Sequence, residues 1–200
     1  VPANGRKSNP PNALHVKTYP TQEEHGFVYI WWGEKQANYP PVPWFESIGS
    51  DMVYATIKDH WANHYSRAIE NQLDVVHLPF IHRSTIGRGN RTIVNGPIAK
   101  LLNNWEGDHL INLWVYNETD NGQTPKKSSE MPEPNVRPFL QFRYGNIWHN
   151  WISDQIRVVI AFVPLDNENT LMYIRFYHTV KFPVVSQLFG WLGSLGNVMI

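Results

Sequence analysis

The chain contains no cysteine, which excludes disulfides, thiolate-held iron–sulfur clusters and cysteine nucleophiles within its 200 residues. It has no charge excess either: 17 basic side chains face 17 acidic ones, for a formal net charge of zero. A nucleic acid or anionic membrane recognised by bulk charge is therefore not an expected partner. Long apolar runs are also missing. Val1–Pro20 is polar and lacks the core of a signal peptide, so a cytoplasmic location is expected. The uncharged stretch Phe182–Ile200 is interrupted by Pro183, Gly190, Gly193, Gly196 and Asn197. Its Val185, Leu188, Phe189, Leu192, Leu195 and Met199 fall at helical spacing, which predicts an amphipathic core or interface helix rather than a membrane span.

What is present points to a folded chain. Nine Trp, nine Tyr and nine Phe in a 42% hydrophobic composition are incompatible with disorder. The length suits one domain, or one domain with part of another. No Met opens the chain, and it stops on the apolar Val198-Met199-Ile200. Both ends are thus expected to be boundaries of a fragment.

Leu14–Pro20 alternates and Phe27–Trp32 is continuously apolar, predicting two strands joined by the polar Thr21–Gly26. Ala37–Pro43 holds three prolines and predicts a linker, with a domain boundary near residue 36. Asp59 is placed to cap a helix running to about Leu78, where Pro79 would end it. Lys100–Trp105 and His109–Tyr116 around Glu106-Gly107-Asp108 predict a hairpin, as do Ile156–Pro164 and Thr170–Val180 around 166–169. Asn117–Pro138 is predicted as a long mobile loop. Antiparallel strands with a few helices give an α+β fold.

The nine histidines hold the remaining chemistry, and two stand in a pattern. On one helix Asn71, Asp74 and His77 would follow one face, and a break at Pro79 would let His82 turn back towards His77. Two neutral imidazoles brought together start a metal site, and a nearby aspartate can fix the tautomer of a ligand. At this chain's residue frequencies Asp-x2-His-x4-His is expected about 0.014 times by chance. The plainer alternative is that both histidines bond helix-end carbonyls beside a solvated Asp74. His60, His64, Arg67, Asn71 and Asp74 would form a polar stripe on the same helix, either solvated or part of a network leading to the metal. His60-Trp61-Ala62-Asn63-His64 has zinc-protease spacing, but Trp61 stands where the general-base Glu is required.

The motif Asn71-x2-Asp74-x2-His77-x4-His82 resembles the iron-binding motif of Rieske non-haem iron oxygenases, the ring-hydroxylating oxygenase alpha subunits. Tyr19–Gly33 is similar to the last strands of their Rieske domain, and Asn146-Ile147-Trp148 with Ile156–Pro164 to core strands of their catalytic domain. The resemblance implies residues 1–36 as the end of a Rieske-type β domain and 37–200 as an antiparallel helix-grip catalytic domain, truncated at its C-terminus. It implies mononuclear Fe(II) on His77 and His82, Asp74 as the carboxylate bridging to a Rieske 2Fe–2S cluster of a neighbouring subunit, and Asn71 beside the iron. It further implies O2 and an aromatic or cyclic substrate for hydroxylation or demethylation, electrons from a ferredoxin or reductase, and a homo-oligomer, commonly a trimer. Trp148, Asn150 and Phe162 are candidates for the substrate pocket.

The family's cluster needs two Cys and two His, whereas this chain has no Cys. The third iron ligand is expected beyond Ile200; Asp154, Asp166 and Glu168 sit among strands and turns and are left unassigned. The chain by itself is accordingly expected not to turn over. Two other classes fit parts of the pattern. One is a non-enzymatic ligand-binding module on the helix-grip scaffold, and the other a zinc hydrolase using His77, His82 and a carboxylate.

Overall fold

A computed structural model describes residues 16–84, 89–103, 109–181, 186–188 and 190–193. The chain divides into two compact units, Val1–Val42 and Pro43–Ile200, with the proline-bearing stretch straddling the division.

In the first unit β1 (Thr21–Glu24) pairs antiparallel with β2 (Phe27–Ile30). The turn between them is His25-Gly26, with φ of 52° and 68°. Two successive left-handed residues are what a tight hairpin turn requires. The prediction of a strand over Leu14–Pro20 with Thr21–Gly26 as connector is thus corrected. Residues 16–20 are not in a strand, and 14 and 15 lie outside the described residues. All four side chains of β1 are exposed, so no apolar alternation marks it, and backbone pairing alone makes the strand. Tyr19 stacks on Trp32 at 5.0 Å between centroids, with the Lys17 ammonium over both rings.

The second unit is built on a seven-stranded antiparallel sheet: β3 (Val53–Trp61), β4 (Ile93–Asn103), β5 (His109–Glu118), β6 (Leu140–Arg143), β7 (Ile147–Ser153), β8 (Ile156–Pro164) and β9 (Thr170–His178). The order is β3-β9-β8-β7-β6-β5-β4. From β4 to β9 the chain meanders between neighbours, and β3 closes the far side against β9. The segment between β3 and β4 must therefore cross from one edge to the other, and it carries α1 (Tyr65–Leu73) and α2 (Leu78–Ile81).

Alternation decides the two faces. Leu140, Phe142, Trp148, Val158, Ile160, Phe162, Met172, Ile174 and Phe176 pack with Ala68 of α1 and Val75 into one apolar cluster. α1 lies on that face. The opposite face carries Asn112, Gln141, His149, Arg157 and Arg175, all but Gln141 buried and His149 completely so.

The helix predicted from Asp59 to Leu78 is corrected at both ends. Val53–Trp61 pairs along its whole length with β9, from Val53↔His178 to Trp61↔Thr170. A partner 109 to 125 positions away in sequence overrides local helical spacing (170 − 61 and 178 − 53). The helix starts only after His64, whose Nδ1 accepts the Ser66 amide at 3.3 Å, and ends at Leu73 with Asp74 as its extended C-cap. His60 and His64 consequently share no helix, and Asp74 and His77 are not on the face that carries Asn71.

The stretch 117–138 is strapped along the sheet rather than loose. The Lys126 amide donates to Asn95 Oδ1 at 2.9 Å, the Gly96 amide donates to the Lys126 carbonyl, and Trp114 Nε1 donates to the Val136 carbonyl at 2.8 Å. Lys100 pairs with Glu133, and a 3-10 turn spans Ser128–Glu130. The Glu106-Gly107-Asp108 turn lies outside the described residues, although β4 and β5 flank it in antiparallel register as predicted. Of the C-terminal amphipathic segment, 186–188 and 190–193 are helical and the rest lies outside the described residues. Among the described residues no helix is long and apolar enough to cross a membrane.

Candidate metal centre

Two short pieces of helix with a tight turn between them bring the histidines together. Trp148 on β7 donates its indole N–H to the Gln72 carbonyl at 3.0 Å, which ties the last turn of α1 to the sheet. Val75 (1% exposed) then plugs the apolar cluster. Between these anchors Asp74 turns the backbone: its Oδ1 accepts the Val76 amide at 2.9 Å, an Asx-type turn. Its other oxygen, Oδ2, stands 3.2 Å from His77 Nδ1.

Pro79 begins α2 instead of ending a helix. It lies in the first turn, where its missing N–H would have no partner anyway. His77 is the residue before that turn, and its carbonyl accepts the amides of Phe80 and Ile81 at 3.0 and 2.9 Å. His82 closes the turn, its amide donating to Leu78 at 3.1 Å. One turn of helix thus separates the two imidazoles, and their centroids are 5.3 Å apart with planes at 62°. Pro79 is fully buried, while Phe80 and Ile81 face solvent.

The predicted pair His77 and His82 is therefore brought together, with Asp74 on His77, though by a helix–turn–helix route rather than along one helical face. The Asp74 carboxylate is placed to accept a hydrogen bond from Nδ1–H of His77, a tautomer that would leave the Nε2 lone pair for a cation. Asn71 is exposed on the last turn of α1. Arg67, one turn earlier, is ion-paired with Glu70 at 2.5 Å on the same exposed surface, so that part of the expected polar stripe is solvated. Among the described residues no group of three or more His, Cys, Asp or Glu is placed to hold a metal ion. The chemistry of the donor set fits a metal through two imidazoles.

Trp148, Asn150 and Phe162 share the helix-bearing face of the sheet. Trp148 pairs with Ile160 and Asn150 with Val158 in the β7–β8 register. Trp148 and Phe162 are buried in the apolar cluster, and Asn150 Oδ1 is buried there without a hydrogen-bond donor. The other face carries a polar line that no sequence motif announces. Asn112, Gln141 and His149 stand opposite one another on β5, β6 and β7. Gln141 Nε2 donates to Asn112 Oδ1 at 2.8 Å, and Gln141 Oε1 is 3.0 Å from His149 Nδ1. The only signal for it was a polar residue at alternate positions of otherwise apolar strands.

No family model matches the chain. Curated relatives do. A vanillate O-demethylase oxygenase subunit of a Pseudomonas species is 31% identical over 100 residues, 48% of this chain and 28% of that protein. Over about half of its length the chain is thus similar to oxygenase subunits. The iron–sulfur subunit of the toluene-4-sulfonate monooxygenase system of Comamonas testosteroni is 27% identical over 118 residues, 57% of this chain and 33% of that protein. Each match thus spans a third or less of the curated relative. The solved terminal oxygenase of carbazole 1,9a-dioxygenase from Nocardioides aromaticivorans superposes with a TM-score of 0.54 at 15% identity, covering 89% of this chain and 53% of that one. A Pseudomonas putida NdmA variant with theobromine gives 0.52 at 17%, covering 96% and 54%. The antiparallel α+β fold of the Rieske oxygenases is thereby shared with this chain.

Proposed function

We infer that this chain is the iron-binding part of an oxygenase that hydroxylates or demethylates an aromatic or cyclic substrate with O2. The observation that carries the reading is the Asp74–His77–His82 constellation, with 3.2 Å from carboxylate to imidazole and 5.3 Å between the rings. The similarity to oxygenase subunits supports the reaction class. His77 and His82 would hold Fe(II), with a carboxylate from outside the described residues as third ligand. When bound, the iron supplies the oxygen chemistry.

The protein's own residues do the rest. Asp74 holds the Nδ1 proton of His77 and so orients Nε2. Val75 and the Trp148–Gln72 hydrogen bond keep the turn against the sheet. Trp148, Phe162 and Asn150 would form the wall that excludes water and seats a flat substrate, and Asn71 would lie beside the iron. Electrons would come from a ferredoxin or reductase through a 2Fe–2S cluster, for which this chain has no cysteine. Residues 1–36 would belong to the end of that cluster's domain. Asp74, about half exposed, would bridge to the cluster of a neighbouring subunit in a trimer.

Iron binding tests this without requiring turnover. In equilibrium dialysis against excess Fe(II) without oxygen, the chain should bind one iron per chain through its two imidazoles. His77→Ala and His82→Ala should each lose it while keeping the wild-type circular dichroism spectrum. Full iron retention in both variants would overturn the assignment.

A further inference from the structure

Three Asn-Gly pairs occur in the chain, Asn4-Gly5, Asn95-Gly96 and Asn121-Gly122. The first lies outside the described residues. An asparagine before glycine can close on its own backbone, because no Cβ on the next residue hinders that residue's nitrogen from approaching the side-chain carbonyl. The fold places the other two pairs in opposite surroundings.

Asn95 is 3% exposed, and its Oδ1 accepts the Lys126 amide at 2.9 Å. The Gly96 amide donates to the Lys126 carbonyl at 3.0 Å. Both groups that would have to react are thus pinned to Lys126. Asn121 and Gly122 are exposed, and nothing lies within 4 Å of the place a Gly122 Cβ would occupy. Hydrogen bonds nevertheless fix their turn. Gln123 Oε1 accepts the Asn121 amide at 2.7 Å, and Gln123 Nε2 donates to the Thr119 carbonyl at 2.7 Å. Asn121 Nδ2 donates to the same carbonyl at 3.4 Å.

The residue before the pair supplies the chemistry. Asp120 Oδ1 accepts the Gly122 amide at 2.9 Å. That amide hydrogen is the one cyclisation must remove, and a carboxylate within hydrogen-bond reach is a general base for it. The hydrogen bond runs along N–H, in the peptide plane, whereas the nitrogen attacks a carbonyl carbon through the face of that plane. Base and electrophile therefore do not compete.

We propose that Asn121 is a self-modifying site, deamidated in the native protein with Asp120 as the base. The Gly122 nitrogen bonds to Asn121 Cγ and gives its proton to the Asp120 carboxylate. The bond from Cγ to the side-chain nitrogen breaks, and that nitrogen takes the proton and leaves as ammonia. Water then opens the cyclic imide to aspartate or isoaspartate. The product adds a negative charge beside Asp120. As isoaspartate it also adds a methylene to the main chain between Thr119 and the Lys126 clasp on Asn95.

Ageing of the purified chain in mildly alkaline buffer tests this, with peptide mapping to localise each amide-to-acid conversion. Native protein should convert Asn121 at least as fast as the chain in guanidinium chloride does. Asn95 should convert about tenfold more slowly in native protein than in denaturant, since it must first open. Asp120→Ser keeps a hydroxyl for the Gly122 amide but removes the base. It should slow native conversion of Asn121 roughly tenfold, with a wild-type circular dichroism spectrum. Slower conversion of Asn121 in native wild type than in denaturant, or an unchanged native rate in Asp120→Ser, would each overturn the proposal. The first comparison needs no variant.

Discussion

Asp74 Oδ2 and His77 Nδ1 face each other at 3.2 Å, while the other oxygen of the same carboxylate accepts the Val76 amide at 2.9 Å. One side chain therefore shapes the turn and sets the imidazole's tautomer. Asp74→Asn keeps an oxygen for the Val76 amide but lacks the charge that holds the Nδ1 proton. Iron affinity should fall by about 10- to 100-fold, the usual effect of losing such a supporting group. Asp74→Ala, which also loses the turn acceptor, should fall further. Equilibrium dialysis of Fe(II) with both variants measures this, and equal affinity to the wild type would exclude the orienting role.

Trp148→Phe tests the tie between β7 and α1. The change leaves the Gln72 carbonyl without its donor and removes volume from a fully packed cluster. A loss of about 1–3 kcal/mol in folding stability is expected. Urea denaturation gives the size, and hydrogen exchange should quicken most at Leu73–Val75, where the tie acts.

His149 makes stability depend on pH. It is fully buried, and because Gln141 gives its amide hydrogens to Asn112, its oxygen receives the Nδ1 proton of His149. Nε2 is then an unprotonated acceptor without a partner. Burial, and secondly the Arg157 charge, lower the His149 pKa from 6.5 to about 3. As pH falls below about 6.5 the unfolded chain takes up this proton and the native chain does not. Stability is thus full above that pH and declines by about 1.4 kcal/mol per pH unit towards about pH 3. Denaturation midpoints at pH 7.5, 6 and 5 measure the slope, and His149→Gln, with no proton to gain, should flatten it between pH 7.5 and 5.

At His77 metal binding and folding should separate. His77 is about one-fifth exposed and bound to Asp74, so His77→Asn keeps a hydrogen bond to Asp74 and should fold normally, yet lose iron. Thermal melts with and without Fe(II) separate the effects. The wild type should gain stability from the metal, and His77→Asn should not.

Periodicity and spacing alone determined part of this molecule. The β8–β9 hairpin, the β4–β5 pair, the α+β class and the His77/His82 pair all follow from patterns within a few residues, where neighbours in sequence are neighbours in space. The tertiary structure decided the rest. Val53–Trp61 has a helix-like spacing of polar residues at its end, and only β9, more than a hundred residues away, makes it a strand. That pairing pushes the start of α1 to Tyr65 and places Asp74 in a turn rather than on a helical face. Thr21–Glu24 has no buried side chain to announce it, so its pairing rests on the His25-Gly26 turn and on backbone hydrogen bonds. The Asn112–Gln141–His149 line joins residues from several strands. Contacts of that kind depend on which strands the sheet sets side by side, and no local pattern encodes that choice.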